Sequence, residues 1–251
     1  MSDIDRRFPV EAWLRGWCRH DVAPEVGRCA VALEEQALRA GLRLFVQSDF
    51  ALYNTVMRAN KDRRGYLNPI FDEVPAGCGY WIAGLDGNEA IATVQAFRLY
   101  RWHGTNLLRE LTSLHLHYPH QGLEAGPGES IEMGGLVAET ITGKVAFTGG
   151  IWIRQDMTGP RAEIEGAKLS GILARLNRYL AYCRWDIDFA FSSVTNALYE
   201  KGVAESYGHA HAEPGMKFAL RFLGEGGAVL LWSSRQDVIS NATHQLVASP
   251  P

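Results

Sequence analysis

The central segment of the chain reads Phe147-Thr148-Gly149-Gly150-Ile151-Trp152-Ile153-Arg154 and continues directly into Gln155-Asp156-Met157-Thr158-Gly159-Pro160-Arg161. The first half has the apolar character of a strand, the second half is a polar loop that contains glycine, and a helical pattern follows from Gly166. A strand, a glycine-containing loop and a helix N-terminus, in this order, present free backbone N–H groups to a phosphate. The segment therefore predicts a phosphate site between residues 154 and 168.

Charged and small residues of this loop support that prediction. Cations bracket the loop, and small residues leave room for close approach to the backbone. The cations are Arg154, Arg161 and Lys168, and the small residues are Gly159, Gly166 and Ala167. Glu163 and Glu165 oppose an anion unless they point outward. A surface loop with solvated charges is the alternative interpretation, and both stay open at the level of the sequence.

Composition describes an ordinary globular protein and argues against several classes. The 251 residues are 47% hydrophobic and 21% charged with a net charge of −3, so neither disorder nor a basic nucleic-acid-binding surface is expected. No apolar run approaches the ~18 residues of a membrane span, and the N-terminus lacks a signal-peptide layout. Four scattered cysteines without a Cys-x-x-Cys pair favour reduced thiols. We therefore expect a soluble cytoplasmic protein without a metal.

Hydrophobic periodicity and turn residues divide the chain into alternating elements. Helices are predicted at 22–40, from Phe50, at 169–183 and from Asn196, and strands at 42–46, 80–85, 90–100, 111–118, 144–154, 189–194, 217–223 and 228–232. Asp86-Gly87-Asn88 and Gly224-Glu225-Gly226-Gly227 predict the turns of two hairpins. The order predicts one mixed α/β domain at residues 42–240, with a helical extension at 1–41 and a C-terminal tail at 241–251.

This order resembles the GNAT superfamily, the acyl-CoA-dependent N-acyltransferases. Leu42–Asp49 resembles the family's opening strand and helix start, Tyr80–Tyr100 its second and third strands, Ala146–Ser170 its central strand, pyrophosphate loop and following helix, and Asn196–Gly202 its late helix. The resemblance implies a GNAT-like α/β fold, in which a mostly antiparallel central sheet contains a splayed parallel pair and is flanked by helices. It also implies direct transfer of an acyl group from acetyl-CoA, a longer acyl-CoA or a phosphopantetheine carrier to an amine.

The resemblance further assigns roles to single residues. The donor lies where the central strand and the next strand diverge, and its binding residues are Ile151, Ile153, Arg154, Gly159, Arg161, Gly166, Ala167, Lys168 and Asn196. Tyr199 takes the place of the acid that protonates the leaving thiolate, Tyr207 is the fallback, and Glu132 is a candidate base. Ordinary structural roles stay open for these residues, such as a packed tyrosine, an exposed carboxylate or, for Asn196, a helix cap. The expected partners are a small acyl donor and an unidentified amine, with a homodimer left open.

Two other interpretations remain. The loop departs from the family pattern Gln/Arg-x-x-Gly-x-Gly/Ala. Both ways of aligning the loop with this pattern begin with an acidic residue, and Pro160 has no backbone N–H to donate. This favours a non-catalytic ligand-binding or interaction protein that keeps the fold. Separately, His115-x-His117 and His209-x-His211 would each place two imidazoles on one face of a strand and could bind zinc. A polar surface is the simpler explanation for these histidines.

Overall fold

A computed structural model describes residues 9–17, 23–60, 69–71, 73–118, 125–158, 163–164 and 167–248. The helices are α1 (Val10–Trp17), α2 (Pro24–Arg39), α3 (Phe50–Asn60), α4 (Leu107–Thr112), α5 (Val137–Thr140), α6 (Leu169–Trp185), α7 (Asn196–Glu200), α8 (Val203–Tyr207) and α9 (Arg235–Ala248). The strands are β1 (Arg43–Gln47), β2 (Gly79–Leu85), β3 (Ile91–Trp102), β4 (Ser130–Glu132), β5 (Gly143–Ile153), β6 (Glu163–Ile164), β7 (Ala167–Lys168), β8 (Phe189–Thr195), β9 (His211–Leu220) and β10 (Gly224–Ser234).

Eight of these strands form one sheet, in the order β1-β2-β3-β5-β8-β10-β9-β4. Within the described residues, β5 and β8 pair in parallel and every other neighbouring pair is antiparallel. A parallel pair needs a long crossover connection, and the chain supplies it through α6. The predicted mixed sheet with one parallel pair near its centre is therefore confirmed.

Apolar cores lie on both faces of the sheet. The face that carries Phe97 and Leu99 packs against α1, α2, α6 and α9, and the face that carries Ala96 and Phe147 packs against α3 and α4. Side chains of neighbouring strand residues alternate between faces, so β3 contributes to both cores. Among the described helices, none combines the length and apolar character that crossing a membrane requires.

The segment 111–118 is not the predicted strand. The Asn106 side chain accepts a hydrogen bond from the backbone N–H of Arg109 at 2.9 Å and begins α4, which ends at Thr112. A turn with Leu114 at φ +63° follows. A polar cap and a left-handed residue thus outweigh the apolar alternation of the sequence. His115 is exposed and His117 is buried, so these two imidazoles do not share a strand face.

Other boundaries also differ from the predictions. The first hairpin is confirmed, but the turn of the second is formed by residues 221–223, because Gly224 already pairs with Leu220 in the β9–β10 ladder. The late helix is divided into α7 and α8 at Gly202, whose φ of +70° an L side chain rarely adopts. Helix α9 runs from Arg235 to Ala248, and the division of the chain at residue 240 stays a prediction.

Candidate functional site

The gap between β5 and β8 is the central feature of the site. Residues Val145–Phe147 of β5 pair with Phe189–Phe191 of β8, and the two strands then diverge. The Thr148 Oγ1 and Ser192 Oγ atoms lie 2.6 Å apart just beyond the last paired residues. Further along, the facing edges of β5 and β8 have no strand between them in the described part of the chain. Diverging strands expose backbone groups that an extended ligand can bind.

A β-bulge shapes the β5 side of this gap. Val94 of β3 pairs with Trp152 and Ala96 pairs with Gly149, so β5 contains one extra residue between these pairs. Gly150 has φ +58°, and its carbonyl oxygen accepts a hydrogen bond from the Tyr53 hydroxyl at 3.0 Å. A Cβ at Gly150 would lie 1.9 Å from that hydroxyl oxygen. Burial raises the pKa of Tyr53, which keeps the hydroxyl protonated as the donor that holds the bulge.

A cavity of about 200 Å³ opens beside the gap, on the face of the sheet that carries Phe147. Its walls come from β5, β8, β9, β10, α4 and the turn after α4, and most of them are apolar. Ser193 and Thr195 of β8 and His117 are the polar side chains among the lining residues. The divergence of the strands therefore leads directly to a mostly apolar, partly open space.

His117 is the one titratable side chain among the residues that line this cavity. It is 7% exposed, its ring centroid lies 5.4 Å from that of Phe222, and its Nδ1 has no hydrogen-bond partner among the described residues. Burial lowers the pKa of His117 to about 4, although the Glu129 carboxylate acts in the opposite direction. The imidazole is therefore neutral near pH 7.

The segment that follows β5 leads to the N-terminus of α6. Strands β6 and β7 are two residues long and pair antiparallel. Ala167 and Lys168 make up β7, which leads directly into α6. Lys168 is exposed at the N-cap position, where no side chain caps the helix, and the first turn of α6 contains no acidic residue. A helix N-terminus with a cation and without acids favours an anion. Gly159, Arg161 and Gly166 lie outside the described residues.

Arg154 does not lie free beside this helix. Its guanidinium contacts Asp86 Oδ2 at 2.7 Å and both oxygens of Asp156, at 2.7 and 2.9 Å. The hydrogen bonds that the guanidinium donates to Asp156 and Asp86 raise the pKa of Arg154, and its backbone N–H donates to the Ala92 carbonyl at 2.8 Å. Arg154 thus ties the β2–β3 turn to the end of β5, and its charge is already matched by two carboxylates.

Ile151 and Ile153 are half-buried on β5 and pack against the core on the α6 face. They lie on the part of β5 that follows the divergence from β8. Their side chains therefore border the gap on the face opposite to the cavity. This position is compatible with contact to an extended arm between the strands.

Helix α7 follows β8 directly and carries two of the predicted residues. Tyr199 is 40% exposed, so its hydroxyl is accessible. Asn196 is the first residue of α7 and Thr195 holds the N-cap position, so Asn196 is not the predicted cap. The Asn196 side chain instead packs on β10, where a Cβ at Gly227 would lie 2.4 Å from its Nδ2.

The structure does not bring Tyr207 or Glu132 to the cavity lining. Tyr207 packs against the small cluster of Val194, Ala204, Val229 and Leu231, and burial raises its pKa. On β4, Ile131 lines the cavity, and strand alternation places Glu132 on the opposite face, beside its register partner Lys217. The catalytic roles of Tyr207 and Glu132 stay predictions.

The second histidine pair is also divided between two environments. His209 is half-buried with its Nε2 3.1 Å from Ser192 Oγ, whereas His211 is exposed with its Nε2 3.1 Å from Asp237 Oδ2. Among the described residues, no group of three or more His, Cys, Asp or Glu side chains is arranged to hold a metal ion.

Sequence reasoning missed two contributors to the site. The bond from Tyr53 to Gly150 joins residues 97 positions apart. His117 was noted only as one half of a zinc motif. No local pattern signals either role, because both depend on how distant segments pack.

No family model and no curated protein sequence matches the chain. Among solved structures, it is similar to spermidine N-acetyltransferase from Vibrio cholerae in complex with CoA and spermine, at 9% identity and a TM-score of 0.43, covering 79% of this chain and 98% of that one. It is also similar to an uncharacterised protein from Bacillus halodurans, at 8% identity and a TM-score of 0.42, covering 80% and 89%. Those values do not bear on function.

The class of fold is defined by the chain's own topology. An opening strand and helix, an antiparallel hairpin, a central strand that splays from its parallel neighbour and a helix between these two give the chain a GNAT-like fold. The resemblance that the sequence suggested is therefore present in three dimensions.

Proposed function

We propose that the protein is an N-acyltransferase that moves an acyl group from acyl-CoA, or a related phosphopantetheine carrier, to an amine. The observation that carries this proposal is the divergence of β5 and β8 after Phe147 and Phe191, with a cavity of about 200 Å³ beside it. A gap between strands accommodates a narrow, extended arm, and an adjoining cavity accommodates the second substrate.

The donor would lie along the gap. Its pantetheine arm would follow the unpaired edge of β5 beside Ile151 and Ile153, and its diphosphate would bind at the N-terminus of α6 with Lys168. Because Arg154 is engaged by two carboxylates, the proposal gives it a structural role rather than a direct one. Gly159, Arg161, Gly166 and Ala167 remain predicted neighbours of the diphosphate, and Asn196 a predicted neighbour of the arm.

The chemistry would be a direct displacement. The amine nitrogen attacks the thioester carbonyl carbon, a C–N bond forms, the C–S bond breaks and sulfur keeps the electron pair. Backbone N–H groups along the open edge of β5 would stabilise the developing oxyanion, as preorganised donors do. Tyr199, with its accessible hydroxyl, would protonate the departing thiolate. The amine would lose its proton to solvent water as the C–N bond forms.

A combined binding and turnover experiment tests this function. Isothermal titration with acetyl-CoA measures donor binding, and release of free thiol with a panel of primary amines measures transfer. Lys168→Gln is expected to weaken acetyl-CoA binding. Lys217→Gln is the matched control, because Lys217 is also an exposed cation but lies on β9, and this variant should bind acetyl-CoA as wild type does. Absence of binding to acetyl-CoA and longer acyl-CoAs by correctly folded protein would contradict the proposal.

A second candidate is a non-catalytic ligand-binding or interaction protein that keeps this fold. The pairing of Arg154 with Asp86 and Asp156 favours it, because a cation predicted for the diphosphate is committed elsewhere. This candidate predicts that acyl-CoA causes no thiol release with any amine, even where it binds.

A further inference from the structure

The cavity beside the β5–β8 gap has a composition that restricts the substrate. Phe147, Phe191, Met216, Leu220 and Leu230 are buried and form much of its wall. Among the residues that the structure describes, no Asp, Glu, Lys or Arg lines it. Apolar walls favour an apolar occupant, because transfer of apolar surface out of water supplies most of the binding energy.

The size of the cavity sets a second restriction. An apolar protein cavity of roughly 150 Å³ is large enough to bind benzene. At about 200 Å³, this cavity accommodates a group slightly larger than one phenyl ring. A long acyl chain or a bulky polycyclic group exceeds that space.

The polar groups of the lining set the third restriction. A polyamine carries several positive charges, and each buried charge needs a partner that compensates its loss of water. In the described part of the lining, the polar side-chain groups are two hydroxyls and the neutral imidazole of His117. These groups accept hydrogen bonds but supply no negative charge, so they suit a neutral amine and penalise a polycation.

We propose that the acceptor is a primary amine that carries one apolar group of about the size of a phenyl ring, and that this amine binds in the cavity with His117 as a hydrogen-bonding residue. This inference rests on the proposed function, since the cavity adjoins the gap assigned to the donor. The apolar group fills the space between the aromatic and aliphatic walls. The amine nitrogen donates to the His117 imidazole, and Gly149 and Gly150 line the same cavity where it meets the gap.

Residue Ser193 allows the inference to be tested without disturbing the core. It is exposed on β8 and also lines the cavity, so Ser193→Phe narrows the cavity without burying a new polar group. Ser130→Phe is the matched control, because Ser130 is exposed on the face of β4 opposite to the cavity-lining Ile131. Met216→Trp provides a second, internal way to fill the same space.

The experiment measures kcat/KM by thiol release with acetyl-CoA and either 2-phenylethylamine or spermidine. We expect 2-phenylethylamine to exceed spermidine at least tenfold in kcat/KM. Ser193→Phe should lower the value for 2-phenylethylamine at least tenfold, while the Kd of acetyl-CoA changes less than threefold and Ser130→Phe behaves as wild type. His117→Leu should raise the KM for this amine at least threefold with a smaller effect on kcat.

Each contrary result has a distinct meaning. Equal or better use of spermidine, or an unaffected Ser193→Phe variant, overturns the acceptor assignment and leaves the proposed function intact. The acceptor assignment is also overturned if octanoyl-CoA binds tenfold more tightly than acetyl-CoA and Ser193→Phe removes this difference. In that case the cavity holds the acyl chain. If acetyl-CoA does not bind at all, the proposed function fails, and direct titration of 2-phenylethylamine into wild type and Ser193→Phe still decides whether the cavity binds an apolar amine.

Discussion

Thr148 and Ser192 join β5 and β8 at the point where the two strands begin to diverge. Their hydroxyl oxygens lie 2.6 Å apart, and Ser192 Oγ donates to the Thr148 carbonyl oxygen at 2.9 Å. Ser192 Oγ also lies 3.1 Å from His209 Nε2. One assignment satisfies all three contacts: the Thr148 hydroxyl and His209 Nε2–H both donate to Ser192 Oγ. Burial lowers the pKa of His209 strongly, with Arg178 adding to the effect, in agreement with a neutral ring.

The first prediction concerns this junction. Ser192→Ala removes the donor to the Thr148 carbonyl and leaves the Thr148 hydroxyl and His209 Nε2–H without an acceptor, so the free energy of unfolding should fall by about 1–3 kcal/mol. Urea denaturation of the variant, compared with Ser130→Ala on the exposed side of β4, measures the effect. A loss no larger than that of the control would mean that the junction does not hold the strands together.

The second prediction concerns pH and His117. Its folded-state pKa of about 4 lies below the ordinary value, so the unfolded chain binds the proton first, and stability is lost as pH falls from about 6.5 toward 4. Between pH 7.5 and 5.0 wild type should lose about 1–2 kcal/mol more than His117→Gln, at ~1.4 kcal/mol per pKa unit. Denaturation at both pH values measures this difference.

His115→Gln is the control for that experiment, because His115 is exposed two residues away. The charged groups near His117, Glu129 and its partner Arg221, are unchanged in both variants. Equal pH dependence in wild type and His117→Gln would show that His117 is not buried as a neutral ring.

The third prediction separates Arg154 from Lys168. Lys168→Gln should weaken acetyl-CoA binding roughly three- to tenfold, because it removes a cation beside a helix N-terminus. Arg154→Gln should change the same Kd less than threefold, because its charge is already matched by Asp86 and Asp156. Titration calorimetry at fixed ionic strength compares the two. A larger increase in Kd for Arg154→Gln than for Lys168→Gln would contradict this prediction and indicate that Arg154 contacts the diphosphate.

The fourth prediction separates two tyrosines. Tyr199→Phe should lower kcat at least tenfold with little change in donor affinity, because only the proton for the thiolate is lost. Tyr207→Phe should leave kcat within threefold, because Tyr207 packs in an apolar cluster. Steady-state kinetics of both variants decide between them, and a reversed pattern would transfer the acid role to Tyr207.

Local patterns predicted much of the fold. The apolar stripe of residues 169–183 anticipated α6, and Asp86-Gly87-Asn88 anticipated the turn between β2 and β3, because periodicity and turn chemistry act over a few residues. The turn after α4 was missed, since Asn106 as a cap outweighed the alternation of the following residues. The partners of Arg154 were missed for another reason: Asp86 lies on a different hairpin, and only folding brings it near.

The candidate site was less accessible to such reasoning. The divergence of β5 from β8 follows the resemblance, but the bulge at Gly150 depends on Tyr53, which is far away in sequence. The alternation of β4 that turns Glu132 away from the cavity depends on which face of that strand is buried. Contacts between distant segments, rather than local propensity, therefore decide which predicted residues face the cavity.

The most direct test of the central proposal, that the donor lies between β5 and β8, is amide hydrogen exchange with and without acetyl-CoA. The account predicts slower exchange in peptides that cover residues 148–153 and 192–195, where the facing edges are unpaired, and at the start of α6, with no change in β1 or β2. Protection confined to other strands, or binding of acetyl-CoA without protection of either edge of the gap, would contradict it.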